Sequence, residues 1–184
     1  GRADRNGSRS PLSPRSAAKA LQARPLVASG AAARFDLSDA ELAQACASLS
    51  GEPAHVATSA GLLAKLGLDA DALECGAHWP RAETQIAAMG ARGETPTALH
   101  NNCSGKHAGF VCLGCVLAGE QERRAFLRGY VEPEHPVMRE VTAALAAATS
   151  TDLSRAPVGT DGCSIPTYGI PLRQLALGFA RFGT

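Results

Sequence analysis

The chain has 184 residues, 45% of them hydrophobic and 4% aromatic, with a formal net charge of +1. Interspersed, nearly balanced charges argue against a nucleic-acid groove or an anionic membrane surface, and no apolar run approaches the roughly 20 residues needed to span a bilayer. One domain with its own core, soluble and cytoplasmic, with a small-molecule partner, is therefore expected.

Residues 1–13 begin rich in Arg, Ser, Gly and Pro without periodicity, which predicts a flexible arm, and residues 14–184 form the expected domain. Ser13-Pro14 offers an N-cap followed by proline at the first helical position. The helix it opens should meet a break at Pro25 and close at Gly30. Ser38-Asp39-Ala40-Glu41 is a capping box for a second helix, which stops in the hydroxyl-rich turn Ser48-Leu49-Ser50-Gly51. A third helix runs from His55 to Leu66, with a short turn possible from Asp69 to Leu73.

The stretch from Cys75 to Pro80 reads as a loop with Trp79 as a core or loop anchor, and Ala82–Met89 as a fourth helix stopped by Gly90. Thr95-Pro96-Thr97 leads extended into His100-Asn101-Asn102-Cys103-Ser104-Gly105-Lys106-His107, a crowd of polar groups that ends abruptly at the apolar run Ala108–Leu113. That change predicts a loop turning into a buried helix that ends near Leu117. Glu120–Leu127 is charged and amphipathic, Val137–Ala148 is helical, Pro157–Thr160 is extended, and a last helix spans Leu172–Phe182. No exposed apolar stripe marks a contact surface. Abundant alanine and scarce aromatics favour close-packed helices over a sheet, so the chain is expected to be mainly α.

Three groups of residues could carry chemistry. Ser16-x-x-Lys19 places a hydroxyl and an amine one helical turn apart, and a lysine whose pKa is lowered by burial can take the proton of a serine nucleophile. The same spacing occurs by chance in many helices. Cys103-x-x-Lys106 with the distant Cys163 suits a thiol nucleophile, a soft-metal site such as zinc, or buried structural cysteines. Asp161, two residues before Cys163, could orient a ligand or accept bonds in its own turn. Of the six cysteines, none clusters as in a secreted scaffold, so all are expected reduced, and Cys112-x-x-Cys115 reads as packing within a helix. His55, His78 and His135 have no evident partner.

Several blocks in order resemble one family. Pro14-Arg15-Ser16-Ala17-Ala18-Lys19, Cys46-Ala47-Ser48-Leu49-Ser50-Gly51-Glu52-Pro53, Glu74-Cys75-Gly76-Ala77-His78-Trp79-Pro80, the central His100–Phe110 motif and Asp161-Gly162-Cys163-Ser164-Ile165-Pro166 resemble the L-asparaginase II, or Rhizobium-type, asparaginases. The resemblance implies an amidohydrolase that converts L-asparagine to L-aspartate and ammonia, in a fold similar to serine β-lactamases and penicillin-binding proteins, of which this chain would form the helical part. It makes Ser16 and Lys19 nucleophile and base, and Ser48 a second active-site serine. Cys103, Lys106 and Cys163 become zinc ligands, with Arg15, His107 and Asp161 around the substrate. Zinc is then an aid to substrate positioning, and a homodimer is common in such proteins.

Leu49 stands where the family commonly has histidine, and Ala20 where proline commonly follows the lysine. Members also continue beyond the length of this chain into strands that supply a further lysine, so the expectation is an incomplete domain, inactive or poorly folded by itself. A penicillin-recognising serine hydrolase shares the Ser-x-x-Lys pattern. Its Ser-Asp-Asn and Lys-Thr-Gly companions are not visible here. A non-catalytic zinc-binding fragment is the other alternative.

Overall fold

The computed structural model describes residues 10–182, and these residues are mainly helical. Strand β1 (Pro11–Leu12) comes first, then a 3-10 turn over Arg15–Ala18 and three short helices, α1 (Lys19–Gln22), α2 (Arg24–Ala28) and α3 (Ala31–Arg34). Pro25 lies in the first turn of α2, where its missing N–H costs nothing, and Gly30 precedes α3 in the left-handed region at φ 76°. Thus Pro25 and Gly30 divide the segment as their chemistry predicts, but the single helix expected from Ser13 is broken into pieces.

Ser13 does not cap a helix. The turn that follows has no side-chain cap, and Ser13 Oγ instead meets Thr167 Oγ1 at 3.1 Å. The described part of the expected arm is also tied down, because β1 pairs antiparallel with β4 (Ile170–Pro171), Leu12 opposite Ile170. Residues 1–9 of the arm lie outside the described residues.

Helix α4 (Asp39–Cys46) carries the complete capping box: Ser38 Oγ accepts from Glu41 N–H, and Glu41 Oε2 accepts from Ser38 N–H at 2.7 Å. Helix α5 (Pro53–Lys65) follows, starting two residues before the expected His55 because Pro53 takes its first turn. Asp69 caps the short turn Ala70–Ala72, and α6 (Glu83–Ala91) runs through Gly90 before Gly93 ends it at φ 66°. Trp79 is no core anchor, being 43% exposed.

Helix α7 (Ser104–Leu117) is the axis of the larger core, buried without interruption from Ser104 to Cys115. An all-round apolar helix must be enclosed on every side. Here α4, α5, α2, α3, α8 (Arg123–Leu127) and α9 (Pro136–Thr149) enclose it. Glycines on α7 let these neighbours close in: a methyl group on Gly105 would stand 2.5 Å from the carbonyl oxygen of Gln44. Cys112 and Cys115 face this apolar interior, and burial pushes Cys112 up to about 12, so both are packing groups.

A smaller core joins α1, α9 and α10 (Leu172–Phe182) through Leu21, Leu145 and Leu175. Between α9 and α10, β2 (Val158–Thr160) and β3 (Pro166–Tyr168) form an antiparallel hairpin. Leu172, Phe179 and Phe182 remain exposed along one side of α10, an apolar stripe not evident in the sequence. Among the described residues no helix is long and apolar enough to cross a membrane.

Candidate active site

Four segments that are remote in sequence meet at the N-terminal end of α7. They are the 3-10 turn leading into α1, the residues after α4, the loop into α7, and the tip of the β2–β3 hairpin.

The amine of Lys19 is the centre of the first half. Lys19 is 1% exposed, and its Nζ donates to Ala47 O at 2.9 Å, to Asn102 O at 3.0 Å and meets Ser48 Oγ at 3.0 Å. Burial lowers its pKa from the ordinary lysine value, against the opposing pull of the Cys103 and Cys163 sulfurs. Ser48 itself is solvent-facing. Leu49 N–H donates to Asn102 O at 3.0 Å, so the strip carrying Ser48 is hung from the loop that opens α7.

Ser16 is also exposed, and the structure records no hydrogen bond between it and Lys19 among the described residues. Arg15 beside it has φ 43°, a left-handed conformation that is costly for a residue with a side chain. It turns an exposed guanidinium toward Asp161 Oδ1 at 3.5 Å.

Asn101 fixes the start of α7. Its buried amide donates to Cys75 O at 2.8 Å and Gly76 O at 3.0 Å, and its oxygen accepts Cys103 N–H at 2.8 Å. Every polar atom of that side chain is used, as burial demands. Neither the clamp nor its partners had a local signal in the sequence beyond the polar character of the motif.

Cys103, Lys106 and Cys163 form the second half, all three buried. Lys106 Nζ donates to Cys163 Sγ at 3.2 Å, and Cys163 lies 3.7 Å from Asp161 Oδ2. The two thiols are coupled. A hydrogen bond from Cys163 and the charges of Lys106 and Lys19 bring Cys103 down to about 6 against the pull of burial, while the same bond and burial push Cys163 up to about 11.

Asp161 accepts Gly162 N–H at 2.8 Å and closes the hairpin through Ser164, which sits at φ 74°. Its carboxylate therefore serves both the turn and the cluster. His107 is wholly buried, with Nδ1 2.7 Å from the Tyr130 hydroxyl. Tyr130 was not indicated by the sequence. Two other histidines have partners: His135 caps α9 and meets Phe126 O at 2.7 Å, and His55 Nδ1 is 3.4 Å from Ser50 Oγ.

Among the described residues no group of three or more His, Cys, Asp or Glu side chains could hold a metal ion. A zinc site here depends on an amine as third donor. Two sulfurs, with a buried lysine 3.2 Å from one of them, are chemically suited to a borderline-soft cation. A concavity of about 630 Å³ bordered by Pro171, Arg173, Gln174 and Leu177 lies along α10, away from this cluster.

A family model described as L-asparaginase II matches residues 5–184. No curated protein matches the chain.

Proposed function

The chain belongs to the L-asparaginase II family, and on that premise we propose that it hydrolyses the side-chain amide of L-asparagine to L-aspartate and ammonia through a serine ester. The observation that carries this reading is the buried amine of Lys19 held 3.0 Å from the solvent-facing hydroxyl of Ser48.

The neutral amine takes the hydroxyl proton as the serine oxygen attacks the amide carbon. The carbon–nitrogen bond then breaks, and ammonia leaves with the proton that Lys19 returns. Water repeats the sequence on the ester, releasing aspartate and restoring the serine. Two serines compete for the attacking role, Ser16 by its place in Ser-x-x-Lys and Ser48 by the bond it makes. The bond favours Ser48.

The exposed Arg15 guanidinium suits the substrate carboxylate, and Asp161 suits its ammonium group. Cys103, Lys106 and Cys163 would hold zinc. When bound, the cation would supply positive charge that anchors the amide-bearing ligand beside the serine. The helices described here would supply the helical part of a fold similar to serine β-lactamases.

The test is ammonia release from L-asparagine by the purified full chain, with added zinc and after chelation, beside a Lys19→Met variant. Release that disappears in the variant supports the reading. A folded chain that binds zinc through Cys103 and releases no ammonia under either condition overturns it in favour of a non-catalytic metal-binding role.

A further inference from the structure

The peptide group that joins Asn102 to Cys103 is held from both sides. Its N–H donates to Asn101 Oδ1 at 2.8 Å, a turn closed by the asparagine side chain. Its C=O accepts Lys19 Nζ at 3.0 Å and Leu49 N–H at 3.0 Å. The N–H and C=O of a trans peptide point in opposite directions, so holding the N–H on one side aims the carbonyl at the other.

Asn101 is in turn fixed from outside the motif. It is 5% exposed, and its Nδ2 donates at 2.8 Å to Cys75 O and at 3.0 Å to Gly76 O, carbonyls 26 and 25 positions away. With both N–H bonds of the amide committed to that loop, its oxygen has one direction left.

The Asn102 carbonyl decides what the Lys19 amine can do. Of the three neighbours of Nζ, Ala47 O at 2.9 Å and Asn102 O at 3.0 Å can only accept. An amine about to take a proton has two N–H bonds and one lone pair. The two carbonyls engage both N–H bonds, and the lone pair is left facing Ser48 Oγ at 3.0 Å. Once the amine holds the proton, its third N–H points the same way, so nothing has to move between the two states. With the Asn102 carbonyl turned aside, one N–H could swing toward Ser48 and the lone pair would lose its direction.

We propose that Asn101 is a positioning residue of the amide hydrolysis: its side-chain oxygen holds the peptide after Asn102 so that the Asn102 carbonyl, together with that of Ala47, orients the Lys19 amine on Ser48. The orientation of the peptide stands on the hydrogen bonds alone, while its consequence for turnover rests on the serine chemistry proposed above.

Two replacements in the full chain separate the grip on the peptide from the anchor in the loop. Asn101→Ala removes both, whereas Asn101→Ser keeps an oxygen that can accept the Cys103 N–H and loses only the donors to Cys75 O and Gly76 O. Both variants should unfold at a lower temperature than the wild type, because those carbonyls lose their partner. Turnover should separate them. In Asn101→Ala kcat should fall by about 10–100-fold with KM within about twofold, as for a displaced base that leaves substrate contacts intact. In Asn101→Ser it should fall by less than about fivefold. Crystal structures of all three proteins read the geometry without turnover: Asn102 O should stay within hydrogen-bond reach of Lys19 Nζ in the wild type and in Asn101→Ser, and turn away in Asn101→Ala.

Equal losses of kcat in the two variants overturn the proposal, as does an unmoved Asn102 carbonyl in folded Asn101→Ala; either would leave Asn101 as an anchor for the loop at Cys75. If Asn101→Ala does not fold, Asn101→Ser decides, and a turned carbonyl or a loss beyond about fivefold in it overturns the proposal. A wild type that releases no ammonia overturns the serine reading instead, and the crystal structures then decide by themselves whether Asn101 sets the carbonyl.

Discussion

Lys19 Nζ lies 3.0 Å from Ser48 Oγ although 29 positions separate the two residues. Both Ser16 and Ser48 are open to solvent, but only Ser48 has its hydroxyl on the amine among the described residues. Ser48→Ala should therefore cost activity on L-asparagine by about 100-fold or more, as expected for loss of a hydroxyl that exchanges its proton with the base. Ser16→Ala tests the alternative directly. Trapping the ester with a slow substrate and locating it by peptide mass spectrometry assigns the nucleophile, and an adduct on Ser16 would reverse the order of the two serines.

Lys19 also predicts how stability changes with pH. Burial lowers its folded-state pKa below the ordinary 10.5, so the folded chain releases this proton before the unfolded chain does. Below the folded value the amine is charged in both states, and its desolvation penalty is present in full. As pH rises from that value toward 10.5 the folded state is relieved first, and the Lys19 contribution to stability increases. Lys19→Met should remove this rise. Urea midpoints across the alkaline range, compared between wild type and variant, isolate the contribution from that of the neighbouring thiols.

The capping box at Ser38 and the buried helix after the central motif were legible in the sequence because each depends on neighbours within a few residues. The partner of Lys19 was not, because spacing along one helix points to Ser16 while the bond to Ser48 is set by the packing of α1 against α4. A 3-10 turn at Arg15–Ala18 further breaks the continuous helix that the spacing argument assumed. The pairing of Leu12 with Ile170 and the bond from Tyr130 to His107 escaped for the same reason: each joins segments far apart, and neither end carries a distinctive pattern. The types and spacing of Cys103, Lys106 and Cys163 already suggested a thiol nucleophile, a metal site or structural cysteines, and only the resemblance singled out zinc; the structure brings Lys106 to 3.2 Å from Cys163.

Gly105 is where packing and site depend on the same atoms. A methyl group there would sit 2.5 Å from Gln44 O and 2.7 Å from Gln44 C, which are backbone and cannot rotate away. Gly105→Ala should destabilise by about 2–3 kcal/mol despite alanine's better helix propensity. It should also weaken activity, because the end of α4 leads directly to Ser48. Gly61 in α5 is the control: it is exposed with nothing within 4 Å, so Gly61→Ala should stabilise by about 0.5–1 kcal/mol. Thermal and urea unfolding of the two variants should move in opposite directions.

Glu41 links the capping box to α5 and sets a limit at the acid end. Its Oε2 accepts Ser38 N–H and Lys65 Nζ, each at 2.7 Å, and Ser38 Oγ at 3.0 Å. Burial pushes the carboxyl up, but the bonds from Lys65 and Ser38 outweigh it and hold the pKa below the ordinary 4.5. A depressed carboxyl stabilises the fold at pH values above 4.5 and loses that contribution as pH falls through the folded value. Glu41→Gln should therefore destabilise by about 1–3 kcal/mol at neutral pH, since a neutral amide leaves Lys65 without its anion. The gap to wild type should narrow in acid, where the native carboxyl becomes protonated and neutral as well. A gap that widened on acidification would mean that burial, rather than the donors around Oε2, dominates this group.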